Sequence, residues 1–328
     1  MSFIMNIRSV AKYESKILVR SWFFRIFTLL AVVFLGFFNF AMMLMEDNFG
    51  LWFAKSVSSN IPYLNLLLLN TGQAVVAVFL SSEFLKRDKK LDTSEVFYVR
   101  PLSNAEYVVG KIWGNLRVFL FLNLLVLAIV LAFNFMASGV TVDLPAYLVY
   151  FFLISIPTLI FIIGLSIFLM LLLKNQALTF ILLLGYIGLT LFYIQDKFYY
   201  LFDYMVYNLP LFKSTIVGFS NLELILNHRA IYFFAGLGFI FFTIFLFKRL
   251  PNARRSHYPW LFLSFCMFLL MVTAGFRHVR SILWEGEMRA LYTSINNKYV
   301  YEPKMAIDYY DISVEQKSET IRSVVGME

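Results

Sequence analysis

The feature that most constrains this chain is the recurrence of apolar runs of about 20 residues without a charge, the length a helix needs to cross a bilayer. Such runs place transmembrane helices at about 23–45, 61–84, 114–136, 146–172, 176–194, 230–247 and 259–275. Composition agrees, since 60% of the 328 residues are hydrophobic and only 15% are charged, well below the quarter usual in soluble domains. The expected fold is an all-α polytopic membrane protein. A cleavable signal is not expected: Arg8, Lys12, Lys16, Arg20 and Arg25 precede a first run too long for a signal core. The single cysteine, Cys266, excludes an intrachain disulfide and a cysteine-based metal site.

Lys and Arg alternate between loops. The N-terminal segment, residues 86–117, Lys174 and residues 248–255 together hold 17 basic residues, against four (Lys55, Lys197, Lys213 and Arg229) on the other side. The positive-inside rule then predicts a cytoplasmic N-terminus and an extracytoplasmic 276–328 tail. It also accounts for the net charge of +8 without a nucleic-acid partner.

Residues 1–22 read as a cytoplasmic amphipathic helix lying in the lipid interface, with Phe3, Ile4, Ile7, Val10 and Ile17 toward the acyl chains and Arg8, Lys12 and Lys16 toward headgroups. Within the predicted spans no Asp, Glu, Lys, Arg or His lies well inside the apolar cores, which disfavours carriers driven by an ion gradient. Asn65, Asn70 and Gln73 give the second span a polar stripe, and Asn123 and Asn134 mark the third. Interhelical hydrogen bonding is the first expectation for these carboxamides, and a substrate path through Asn65, Asn70, Gln73 and Asn123 the second. The histidines, His228, His257 and His278, are expected in separate loops without ligand spacing. No catalytic motif, nucleotide-binding loop or metal set is found, so the chain is not expected to be an enzyme.

One cytoplasmic segment breaks the pattern: SSEFLKRDKKLDTSEVFYVRPLSNAEYVVGK, residues 81–111. Glu83 and Arg87 are four apart and can pair on a helix leaving the membrane. Asp92, Thr93 and Ser94 suit the start of a short helix with Val96, Phe97 and Val99 on its apolar side, which Arg100-Pro101 should end. Ser103 with Glu106 three residues on forms a capping box for the helix that continues into the third span.

The order of Glu83, Arg87-Asp88, Leu91, Asp92, Tyr98, Arg100-Pro101-Leu102-Ser103, Tyr107 and Gly110-Lys111 resembles the segment after the second span in permease subunits of ATP-binding-cassette transporters of the ABC-2 class. With the interfacial N-terminal helix and a six-span bundle at 23–250, the resemblance covers about residues 1–250. It implies a coupling surface at 85–111 drawn from Glu83, Arg87, Asp88, Leu91, Asp92, Glu95, Phe97, Arg100, Pro101, Tyr107 and Lys111. It also implies a partner ATPase subunit that carries ATP and Mg, a second permease copy or half, and a bacterial inner-membrane location. The seventh span, 251–275, followed by a MAIDYYDISVEQ segment that alternates like a strand, is similar to proteins of the Bacteroidetes kind that join such a permease to an extracytoplasmic zinc aminopeptidase-like domain. The function expected from the resemblance is export of an apolar or amphipathic substrate. The alternative is a membrane anchor that presents an outer domain without transporting.

Overall fold

The structure, a computed structural model, describes residues 2–44, 57–90, 102–136, 141–194, 196–209, 211, 213, 218–219, 221–247, 258–302, 309–317 and 320–327, with the backbone alone at residues 2, 44, 82–90 and 317. Helix α1 (Ser2–Arg20) meets α2 (Trp22–Leu44) at Ser21, and α3 (Asn60–Lys90) and α4 (Asn104–Met136) follow. A short α5 (Leu144–Tyr150) passes through a π turn at Phe151–Ser155 into α6 (Ile156–Leu173). Then come α7 (Gln176–Leu189), α8 (Leu222–Leu246) and α9 (Tyr258–Tyr299), and an antiparallel hairpin of β1 (Tyr310–Lys317) and β2 (Thr320–Met327). Seven helices are long and apolar enough to cross a membrane, with α5 and α6 counting as one. The chain is a multi-pass membrane protein.

Packing divides the spans. The α3 and α5–α6 spans are mostly buried, whereas α2, α7 and α9 are mostly exposed. Leu66, Phe119, Leu122, Tyr150, Ile154, Ile162 and Ile163 fill the core. Helices have little hydrophobic reason to associate in lipid, so close backbone approach must do much of the work. At the α6–α8 crossing, a Cβ on Gly164 would fall 2.7 Å from Gly236 O, and one on Gly236 would fall 2.7 Å from Ile160 O. Only hydrogen fits at either position.

Three expectations change here. The sixth span does not begin at 230: α8 starts at Leu222, so His228 and Arg229 sit on it and are buried. The spanning helices therefore do carry buried ionisable groups. The histidines are not all in separate loops, because His228 on α8 and His278 on α9 bring their ring centroids to 5.0 Å; His257 lies outside the described residues. The seventh span ends at 275 in the sequence reading with helix expected on through Tyr292, and the structure makes the two one unbroken helix to Tyr299. Its 42 residues span about 63 Å at the α-helical rise, twice a bilayer's hydrocarbon thickness. The expected strand is β1, and β2 pairs with it from Tyr310↔Met327 to Lys317↔Thr320.

Candidate functional site

The sequence-predicted coupling segment enters the structure at its two flanks. Glu83, Arg87 and Asp88 lie on the last turns of α3, and Leu91, Asp92, Glu95, Phe97, Arg100 and Pro101 lie outside the described residues. On the other flank the capping box forms: Ser103 N donates to Glu106 Oε2 at 2.6 Å, and Glu106 N donates to Ser103 Oγ at 3.2 Å. Two of the N–H groups at this helix start are thus satisfied reciprocally. Asn104 Nδ2 donates to Phe247 O at 2.6 Å, and the Tyr107 ring stacks on Phe247 at 5.5 Å, so the start of α4 is tied to the end of α8.

The next turns of α4 carry α1. Gly110 and Gly114 are four apart and share a face, and α1 lies directly on them. A Cβ at Gly110 would fall 2.7 Å from Val10 Cβ and 3.1 Å from Ile7 O, and one at Gly114 would fall 2.9 Å from Ala11 O. Around this contact Lys111 Nζ lies 3.6 Å from Glu14 Oε2, both side chains 4% exposed. Asn6 Nδ2 donates to Glu106 Oε1 at 2.9 Å. Ser15 Oγ donates to Gly114 O at 2.7 Å, while Arg117 donates from Nε to Ser15 Oγ at 2.5 Å and from Nη2 to Ala11 O at 2.8 Å. Phe3 and Ile4 are exposed, but Ile7, Val10 and Ile17, expected on the same lipid face, are half-buried, with Ile7 and Val10 set against Gly110, so much of the apolar side of α1 meets protein rather than acyl chains. Tyr107 and Lys111 are buried under these neighbours. Sequence reasoning missed Glu14, Ser15 and Arg117; the small-x-x-x-small spacing of Gly110 and Gly114 was the signal available.

The predicted carboxamide stripe splits in two. Asn65 exchanges hydrogen bonds with Asn39 of α2, Asn39 Nδ2 to Asn65 Oδ1 at 2.7 Å and Asn65 Nδ2 to Asn39 Oδ1 at 3.1 Å. The others close on one another. Gln73 Nε2 donates to Asn70 Oδ1 (2.5 Å), Asn123 Nδ2 to Gln73 Oε1 (2.9 Å), Ser155 Oγ to Asn123 Oδ1 (2.8 Å), and Asn70 Nδ2 reaches Asn123 Oδ1 and Ser155 Oγ (3.3 Å each). All four are fully buried. This ring joins α3, α4 and the π turn, and in this state the carboxamides face each other rather than a path.

At the opposite end, residues 199–209 and Leu211 form irregular backbone packed against the helices. Its buried polar groups need partners, and helix side chains supply them. His278 Nε2 and His228 Nε2 contact Tyr199 O and Tyr200 O at 2.9 and 3.0 Å. Tyr232 donates to Leu201 O, Tyr63 to Val206 O (3.2 Å) and Tyr150 to Leu211 O (2.8 Å). Arg229, 2% exposed, donates to Tyr204 O (2.8 Å), Leu153 O (2.6 Å) and Thr158 Oγ1 (2.8 Å). Pro157 has no N–H to give the preceding turn, and the Arg229 guanidinium takes up the carbonyl left over. Asp203, 1% exposed, accepts from Tyr207 N and Asn208 N at 2.8 Å each, and burial pushes its carboxyl above the usual value of 3.8. The turn it follows is strained: Phe198, Tyr199 and Tyr200 all adopt positive φ, 53°, 59° and 61°, which L-residues with bulky side chains disfavour.

Among the described residues no group of three or more His, Cys, Asp or Glu is placed to hold a metal ion. No protein-family model matches this chain, and no curated protein matches it.

Proposed function

We propose that the chain is the membrane-spanning permease subunit of an ATP-driven exporter of the ABC-2 kind. On this reading a separate ATPase subunit binds ATP and Mg, and a second permease copy or half completes the path for an apolar or amphipathic substrate. The N-terminus and the 85–111 segment face the cytoplasm across a bacterial inner membrane.

The observation that carries the proposal is the α1–α4 dock. Residues 81–111 leave the end of α3 and enter the start of α4, and α4 bears α1 on the Gly110–Gly114 face. A partner that pushes on the segment or on α1 therefore moves α1 and α4 as one body. That movement works against α3 through the Asn70–Gln73–Asn123–Ser155 ring, whose opening turns buried carboxamides toward a path. The 199–211 plug is the outer gate. The test starts with the ATPase subunit that co-purifies with the tagged protein from its host. Joint charge reversal of Glu83, Arg87 and Asp88 removes stimulation of that ATPase while the helical circular-dichroism signal and the elution profile stay unchanged. Undiminished stimulation refutes the coupling role.

One observation favours a second reading, a non-transporting anchor: α9 is itself about twice as long as a bilayer's hydrocarbon is thick, and the strand residues whose side chains are described are exposed. Deleting residues 300–328 separates the two. The permease still recruits its ATPase, whereas an anchor loses its function.

A further inference from the structure

A cavity of about 330 Å³ opens where α1 turns into α2, lined by Glu14, Ile17, Leu18, Arg20, Ser21, Leu80 and Asn115. Its polar groups are of an unusual kind for so packed a region. Asn115 is 2% exposed, yet its carboxamide makes no hydrogen bond among the described residues, and neither the Ser21 hydroxyl nor the Arg20 guanidinium has a partner there. What remains exposed of Asn115 opens on the cavity. The carboxylate in the lining, Glu14, already faces the Lys111 ammonium at 3.6 Å. The neighbouring Arg117 donates only to Ser15 Oγ and Ala11 O, at 2.5 and 2.8 Å, and has no carboxylate. The one guanidinium in the lining, Arg20, is therefore uncompensated, with that of Arg117 nearby on α4, and the open donors of the cavity are a guanidinium, a carboxamide N–H and a hydroxyl. That set fits the oxygens of a phosphodiester.

The position selects the source. Trp22 and Trp113 are exposed at this level, 75% and 48%, as aromatic side chains are where headgroups meet the acyl region. Ile17, Leu18 and Leu80 make the remaining wall apolar, and Phe23, Ile26 and Leu29 of α2 continue an exposed apolar track along the membrane-crossing direction. A free phosphate would gain nothing from that wall, whereas a lipid would lay its glycerol and first methylenes against it. We infer that this cavity binds one anionic phospholipid, with its phosphodiester on Arg20, Ser21 and Asn115 and its chains along α2. Basic pockets between helices at the membrane surface recognise anionic headgroups in this way. The lipid then becomes part of the α1–α2–α4 junction, an assignment independent of what the protein transports.

The test uses the full chain in neutral detergent, mixed with micelles carrying either phosphatidylglycerol or phosphatidylcholine, with retained lipid counted by native mass spectrometry. One phosphatidylglycerol is retained and phosphatidylcholine is not. Arg20→Ala and Asn115→Leu each weaken retention about tenfold, the loss of one charge-assisted hydrogen bond, while Arg8→Ala, an exposed cation away from the cavity, leaves it unchanged. Because Arg20 is exposed, its variant folds normally and keeps the proposal testable if Asn115→Leu does not. Three results overturn it: equal losses in Arg8→Ala and Arg20→Ala with none in a folded Asn115→Leu, which means diffuse surface attraction; equal retention of phosphatidylcholine; or full displacement of the lipid by excess inorganic phosphate, which means a free-anion site.

Discussion

Adding one methyl group at Gly114 should undock α1. In Gly114→Ala the new Cβ would lie 2.8 Å from Glu14 Cβ, 2.9 Å from Ala11 O and 3.2 Å from Ala11 Cα. Two of those atoms are backbone and cannot rotate away, so α1 must lift by roughly 0.7 Å to restore contacts near 3.5 Å. Overpacking of this kind costs about 1–3 kcal/mol. Lifting also stretches the Ser15 Oγ bond to Gly114 O, now 2.7 Å. A middle value of about 2 kcal/mol raises the undocked population roughly 30-fold. Trypsin reads this directly, because α1 carries Arg8, Lys12 and Lys16, and when reclosing outpaces cleavage the rate tracks the open fraction. Gly36→Ala on α2 is the matched control. Nothing lies within 4 Å of its new Cβ, and the substitution gains up to about 1 kcal/mol of helix propensity. Cleavage within residues 8–16 should rise about 30-fold in Gly114→Ala and not at all in Gly36→Ala. Equal cleavage of the two variants would refute the dock as described.

Glu14→Gln removes a carboxylate facing the buried Lys111 ammonium and should lower unfolding stability by about 3–5 kcal/mol; Glu14→Met with Lys111→Met should recover most of the loss, as measured by thermal unfolding in detergent. Arg229→Met strips donors from Leu153 O, Tyr204 O and Thr158 Oγ1, and should cost about 1–3 kcal/mol for each buried acceptor left unpaired while raising amide exchange in residues 199–209 far more than in α1. The Asp203 carboxyl, raised by burial from 3.8, holds more protons folded than unfolded. Its contribution to stability is therefore complete below pH 3.8 and is lost as pH rises through the raised folded value. Thermal midpoints across that range should fall with rising pH and flatten in Asp203→Asn; an unchanged slope in the variant excludes Asp203 as the source.

The existence of the spans was legible because lipid-facing helices must be apolar along their length, but their ends were not. Residues 104–113 and 222–229 are too polar to be counted as span, yet they are helical because their polar groups meet partners on other elements: Asn104 on Phe247, Glu106 on Asn6, Arg229 on the π turn. An ionisable residue placed in a presumed loop looks solvated until such partners are known, which is how Arg229 and the His228–His278 pair escaped notice. The capping box at Ser103 was readable because it depends on a three-residue spacing. The contacts of Glu14 and Arg117 were not, since each reaches across about 100 positions of sequence. The second strand was hidden by TIRSVVGM, where Val324 and Gly326 break the alternation that marks Tyr310, Ile312 and Val314.

The three polar assemblies differ in what holds them, and that difference orders their ease of movement. Interhelical hydrogen bonds in lipid average only about 0.6 kcal/mol each, because a separated helix finds other partners. The carboxamide ring exchanges like for like among side chains and is of this kind. The plug at residues 199–209 is not, since its carbonyls are held by donors from several helices at once and a strained turn depends on two histidines from different helices. The dock at α1 combines glycine contact, which has no soft degree of freedom, with a buried ion pair. On the proposed coupling, a push on α1 would pass through the dock, be taken up first at the ring between α3 and α4, and reach the plug last. Cysteine pairs placed across α3–α4 at the ring should accordingly lose cross-linking at a lower applied perturbation, such as Gly114→Ala, than pairs placed between residue 204 and α8. The reverse order would mean that the ring, not the plug, is the rigid element of the bundle.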